Sequence, residues 1–258
     1  MESYELLLEV ASLAGEIMLR NGAETYRVED TINRILKTSN LEEVASFAIT
    51  TGIVASLSGK HAPTLTVVKR VNKRSNHLDK VCDVNAVSRA FCGGEITLKE
   101  AHKRLKEIDK KVEYDSKLKN ICYVIASIFF TIMLGGGVYD ITISCINGII
   151  LAFLLHVGDK VKATDFLMDV FISMVVAIVT IIFSKVVHLV NIDIVIVGSI
   201  MALFPGVALT NAIRDTLSGD YASGGARILE AVVKAIGIGL GVGAGIGLMQ
   251  TCMGGVLL

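Results

Sequence analysis

The sequence has no excess of charge of either sign: 25 Lys and Arg face 25 Asp and Glu among 258 residues, for a formal net charge of zero. That excludes the strongly basic field through which proteins hold nucleic acid. It has no C-x-x-C pair; Cys82, Cys92, Cys122, Cys145 and Cys252 are scattered and have no histidine at metal-ligand spacing. A disulfide framework and a cysteine-based metal centre are thereby excluded, and reduced thiols are expected. There is no G-x-S-x-G, no H-E-x-x-H and no Walker A lysine motif, so no enzymatic chemistry, metal or cofactor is expected. His61, His77 and His102 stand isolated, and Arg70, Lys73 and Arg74 read as a solvated edge. The start, Met1-Glu2-Ser3-Tyr4-Glu5, is acidic and lacks the basic n-region of a signal peptide.

What is present is a strong asymmetry. Nineteen Lys and Arg residues precede Asn120 and only six follow it, while the mean hydropathy of the whole chain is +0.61. Residues 1–119 therefore read as a small cytosolic α/β module and residues 120–258 as a membrane domain.

Within the module, Leu6, Leu7, Val10, Leu13, Ala14, Ile17 and Met18 recur at helical spacing, and Asn21-Gly22 supplies a C-terminal stop. A second helix is expected from Glu24 to Lys37, acidic at its start and basic at its end, as the helix dipole favours. Phe47 to Leu57 and Thr64 to Val71 are β-type runs on either side of the turn residues 58–63, which predicts a hairpin. Helices over Asn76–Phe91 and Leu98–Val112 come after it, the latter opened by Thr97 and Glu100 as a capping box. The expected order is α-α-β-β-α-α.

Five apolar segments come next, roughly Ile121–Val138, Ile141–Val157, Phe166–Val187, Ile192–Ile213 and Ala226–Met249. Each is near the ~30 Å needed to cross a bilayer, the second being short. Lys103 to Lys119 crowd the approach to the first, Lys160 and Lys162 fall in the second loop, and Arg214 and Arg227 in the fourth. This bias predicts five spans with the N-terminus cytoplasmic and the C-terminus outside; Lys185 is the one dissenting charge. The fold class is an α-helical, multi-pass protein of the cytoplasmic membrane with a cytosolic α/β module. The last span carries glycine at every second position from Gly237 to Gly247, which allows close helix packing.

The chain is organised around Phe204-Pro205-Gly206 and the polar stretch that continues to Glu230. Pro205 and Gly206 break the fourth apolar segment, and freed backbone at lipid depth must be buried in protein or line a wet cavity. Asn211, Arg214, Asp215 and Ser218 share one helical stripe, and a Glu230/Lys234 pair lies beyond them. Ionisable groups at such depth mark a functional site, and a broken helix can bind a small zwitterion.

These residues resemble the threonine/serine exporter family, in its longer component with a cytosolic N-terminal module. Gly22-Ala23-Glu24-Thr25-Tyr26-Arg27-Val28-Glu29, Thr51-Gly52-Ile53, Val68-Lys69-Arg70-Val71, Phe204-Pro205-Gly206-Val207, Ile213-Arg214-Asp215, Ser218-Gly219-Asp220-Tyr221 and Ser223-Gly224 carry the likeness. The resemblance implies secondary, ion-gradient-driven export of small amino acids, or of dicarboxylates in some relatives. It also implies a second, smaller multi-span half, supplied by a separate membrane subunit or by another copy of the chain. A non-transporting scaffold whose module binds a regulator is the alternative. In the transport reading, Arg214 receives a substrate carboxylate through its planar donor fork, with Thr210, Asn211 and Asp220 completing the substrate site. Asp215, Glu230 and Lys234 form the proton-coupling set, and Asp220 gates the mouth or meets the substrate ammonium.

Overall fold

The computed structural model describes residues 2–60, 62–72, 75–111 and 114–252. His61, Lys73, Arg74 and the expected helix end at Val112 lie outside the described residues. The chain divides into two compact units that do not follow chain order: Met1–Val112 with Gly206–Glu230, and Glu113–Pro205 with Ala231–Leu258.

In the first unit, α1 (Glu2–Arg20) buries Leu7, Val10, Ala11, Ala14, Ile17 and Met18 along the stripe that the sequence marks. It stops where Gly22 takes a φ of +90°, a conformation that favours glycine. Helix α2 (Thr25–Lys37) begins one residue after Glu24, and its Arg34 pairs with Asp30 one turn earlier at 2.6 Å. Three strands come next where the sequence predicts a two-stranded hairpin: β1 (Glu43–Ile49), β2 (Gly52–Gly59) and β3 (Ala62–Arg70), antiparallel in that order. The run that reads as one strand folds back at Thr50-Thr51, so that Phe47 faces Val54 and Ile49 faces Gly52. Two β-branched residues carry no turn signal of their own, and only the adjacent Gly52 hints at it. Its backbone lies so close to β3 that a Cβ would sit 2.8 Å from the Lys69 carbonyl oxygen. Ile53, Ala55 and Leu57 of the central strand alternate into the core beneath α1 and α2. Helices α3 (Leu78–Cys92) and α4 (Leu98–Lys110) complete the layer. The Thr97 side chain caps α4 by accepting from the Glu100 amide at 3.3 Å, while the Glu100 carboxylate turns instead to Arg104.

In the second unit, α5 (Ser116–Met133), α6 (Val138–Val161) and α7 (Asp165–Val186) are long and apolar enough to cross a membrane, as is α10 (Tyr221–Cys252), which begins in the first unit. Helix α6 has 24 residues, so the segment expected to be short is not. The fourth apolar segment is not one rod. It forms α8 (Ile192–Ile200) and a 3-10 turn at Met201–Leu203, breaks at Pro205, and resumes as α9 (Gly206–Leu217). The described residues thus hold four long apolar helices, or five spans if the broken pair counts as one. Large apolar side chains such as Phe129, Phe153 and Leu167 point outward, whereas the interior of the bundle is polar in places. Asn147 donates to the hydroxyls of Thr180 at 2.9 Å and Ser199 at 3.2 Å, and Thr131 donates to Ser144 at 2.6 Å. Hydrogen bonds between helices, together with small residues, are what holds apolar helices together where lipid removes the hydrophobic drive.

The glycine ladder resolves into two stripes. Gly237, Gly241 and Gly245, four residues apart, face α7. A Cβ on Gly245 would lie 2.7 Å from the Met174 carbonyl oxygen, and one on Gly241 would collide with that of Val170. A Cβ on Gly239, Gly243 or Gly247 would meet nothing within 4 Å. Gly241→Leu and Gly245→Leu are expected to cost more than the ~1–3 kcal/mol of ordinary overpacking, because backbone cannot move aside. Gly243→Leu is expected to change stability by less than about 0.5 kcal/mol. Thermal unfolding in detergent reads the difference; equal effects at Gly241 and Gly243 would refute the stripe assignment.

Candidate functional site

The break begins at the 3-10 turn, where the Phe204 amide donates to the Met201 carbonyl that Pro205 cannot serve. Helix α9 starts at Gly206, and Thr210 bonds back to the Gly206 carbonyl at 2.9 Å. It ends in a Schellman closure: Gly219 has a φ of +89°, and the Asp220 amide donates to the Asp215 carbonyl at 2.9 Å. Asp220 then caps α10, accepting from the Ser223 amide at 3.0 Å. At Gly224, α10 approaches α9 so closely that a Cβ would meet the Thr216 hydroxyl and, at 3.0 Å, the Ala212 carbonyl. The Ser218-Gly219-Asp220-Tyr221 and Ser223-Gly224 motifs therefore build the tight corner between two helices.

That corner lies in the same compact unit as the Gly22–Thr25 turn between α1 and α2, and the two are tied by polar contacts across about 190 residues of sequence. Asp215 is fully buried. It accepts from the Thr25 amide at 3.0 Å and the Thr25 hydroxyl at 3.2 Å, and one carboxylate oxygen lies 3.0 Å from Arg227 Nε. Arg227, itself buried, also donates to the Ala23 carbonyl at 2.8 Å. Asn211 donates to the Gly22 carbonyl at 2.8 Å. Arg214 donates to one oxygen of Glu24, while Arg27 Nε lies 3.2 Å from the other. The Glu24 carboxylate is thus clamped between two guanidiniums. Burial pushes its carboxyl up, but a backbone hydrogen bond, Arg214 and Arg27 outweigh it and hold Glu24 below its ordinary value. Glu29, five residues on, is pushed up chiefly by burial; the Ala48 amide, 2.8 Å from its carboxylate, opposes this and the charge of Asp220 adds to it.

Beside the clamp lies a cavity of about 510 Å³. Glu24, Arg27, Thr210, Asn211 and Arg214 supply its polar wall, and Leu78 and Val81 part of its apolar one. The expected substrate residues Arg214, Asn211 and Thr210 meet there; Asp220 is not among the lining residues and serves as a helix cap. Of the expected coupling set, Asp215 sits in the Arg227 pair and Glu230 lies further along α10. Lys234 Nζ lies 3.8 Å from Asp169 of α7, within the second unit. Arg214 and Asp215, adjacent in sequence, pair with different partners, as side chains about 100° apart on a helix must.

A family model described as "Putative threonine/serine exporter" matches residues 9–249. The chain belongs to the threonine/serine exporter family. No curated protein and no solved structure matches it significantly. The exporter-family match runs through both compact units and includes every residue of the clamp and the corner. It is a family of transporters and not of enzymes, in keeping with the long apolar helices.

Sequence reasoning missed five residues in this exporter-family chain, Arg27 of the clamp among them. Glu24 and Thr25 stand inside a recognised motif to which no role was attached, and Arg227 reads from the sequence only as a topology charge. Asp169 lies within an apolar run, so the argument that singles out the Pro205 stretch applies to it equally.

Proposed function

We propose that the chain is a secondary transporter subunit that exports small amino acids of the threonine and serine class across the cytoplasmic membrane, driven by an ion gradient. The observation that carries this reading is the clamped Glu24 carboxylate at the wall of the cavity. Two guanidiniums there already hold a carboxylate. A substrate carboxylate can take over Arg214 and Arg27, whose planar forks suit it, and the released Glu24 can meet the substrate ammonium. Thr210 and Asn211 offer partners for a side-chain hydroxyl.

In this reading Asp215 and Arg227 hold the two motifs in register and Asp220 fixes the corner. The module of residues 1–119 faces the cytoplasm, and a smaller multi-span subunit or a second copy completes the transporter. A dicarboxylate such as succinate is the second reading, because two guanidiniums on one wall suit two carboxylates. Efflux of radiolabelled threonine, serine and succinate from cells expressing the chain, with and without a small multi-span partner, tests the proposal. Threonine and serine are expected to leave faster than from cells lacking the chain. Selective succinate efflux supports the second reading, and no acceleration of any substrate under either condition refutes transport.

A further inference from the structure

A second cavity, of about 140 Å³, lies wholly within the second unit. It forms where α5 and α7 begin, α6 ends and the 3-10 turn before Pro205 closes, with Lys234 of α10 on one wall. Asp169 stands at its base, 4% exposed in a helix whose other charged residues, Asp165 and Lys185, lie in its first and last turns. Lys234 Nζ is 3.8 Å from its carboxylate, within ion-pair range but beyond a direct hydrogen bond, and its own side chain is 35% exposed. The other titratable groups that face the cavity are Tyr123 from α5, Asp159 from α6 and Asp165 from α7; the 3-10 turn contributes only Ala202 and Leu203. Asp159 and Asp165 are exposed, so two carboxylates rim a cavity that has a third at its base.

We propose that this cavity is the coupling-cation site of the exporter, with the Asp169 carboxylate holding a proton whenever Lys234 is not its counter-ion; the proposal rests on the export reading above. A carboxylate buried among apolar helices needs either a cation or a proton. Lys234 sits on a flexible four-carbon stem at a loose 3.8 Å, so it can leave without breaking a network of hydrogen bonds. The acidic rim raises the local concentration of cations. Asp215, by contrast, is held by Arg227 and by two bonds from Thr25, which suits an anchor better than an exchanging group.

Two measurements on the full chain test the site. The first needs no transport: dicyclohexylcarbodiimide, an apolar reagent that adds to protonated carboxyls, is applied to the purified protein at acidic and alkaline pH, and labelled peptides are read by mass spectrometry. Asp169 is expected to label at acidic pH and to lose labelling at alkaline pH. In Lys234→Met labelling is expected to persist to higher pH. An Asp169 that stays unlabelled at every pH in both proteins overturns the proposal. The second compares efflux driven by an imposed pH gradient with threonine exchange in its absence. Asp169→Asn is expected to lose the driven component and keep exchange. Should that variant misfold, Asp169→Asn/Lys234→Met removes both charges together, a change that buried pairs tolerate, and the same result is expected. Driven efflux that survives in the neutral variants overturns the proposal. So does a response to sodium alone, or loss of exchange with the fold intact, which would place substrate at Asp169. If the unmodified chain moves no substrate, the export reading fails and the labelling alone decides the proton site.

Discussion

Asp215→Ala and Arg227→Ala are each expected to remove about 3–5 kcal/mol of stability and to abolish export, because each leaves the other charge buried without its counter-ion. Both side chains are almost completely buried, and the pair is joined to the Gly22–Thr25 turn by the Thr25 amide, the Thr25 hydroxyl and the Ala23 carbonyl. Replacing both by apolar residues of similar volume, Asp215→Leu/Arg227→Met, is expected to recover only part of the stability: it removes the complete buried pair but leaves the Thr25 amide, the Thr25 hydroxyl and the Ala23 carbonyl without their partners. Export is expected to stay lost in the double variant, because the hydrogen bonds that hold the turn against α9 and α10 go with the charges. Asp215→Asn separates an anchor from a proton carrier. An anchor loses threonine exchange together with gradient-driven efflux, whereas a proton carrier loses driven efflux alone. Unfolding in detergent and paired efflux and exchange measurements read these outcomes; Asp215→Ala at full stability would contradict the buried pair.

Arg214→Lys is expected to raise the threonine concentration that half-saturates exchange by about 10–100-fold. A hydrogen bond to a charged group is worth ~1.5–3 kcal/mol, and each ~1.4 kcal/mol is tenfold in affinity. Lysine keeps the charge but offers a point where arginine offers a fork, so one of two parallel bonds to a carboxylate is lost. The same change loosens Glu24, which Arg214 and Arg27 hold between them. The effect should therefore appear in substrate binding far more than in stability: lysine keeps a positive charge beside the buried Glu24, and the Arg214 side chain itself is half exposed.

Periodicity makes the helices legible and composition separates the polar from the apolar part, because each helix carries its own 3.6-residue stripe or apolar length. The turn at Thr50-Thr51 is not legible, since the residues that fold the strand back are strand formers themselves. The Pro205 break can be read from one residue that lacks a donor. The packing of the segment beyond the break cannot: that Gly206–Glu230 forms a compact unit with Met1–Val112 depends on contacts about 190 residues apart, to which local pattern is blind. Arg214, Asn211 and Thr210, which line one cavity, stand out in the sequence because polar groups beside a helix break require a reason. Glu24 and Thr25 are not, since a glutamate and a threonine at the start of an amphipathic helix look like ordinary capping residues. The partner of Lys234 escapes the sequence for a related reason: Glu230 is near along the chain, whereas Asp169 is brought in by packing.

The claim that a substrate carboxylate displaces Glu24 from Arg214 is tested most directly by equilibrium titration of threonine and succinate into the purified full chain and its Arg214→Lys and Glu24→Gln variants. Glu24→Gln removes the internal competitor. Succinate, which has no ammonium for Glu24 to meet, should then bind more tightly than to the unmodified protein, while Arg214→Lys should weaken both ligands. Unchanged affinity for both ligands in both variants would contradict the account.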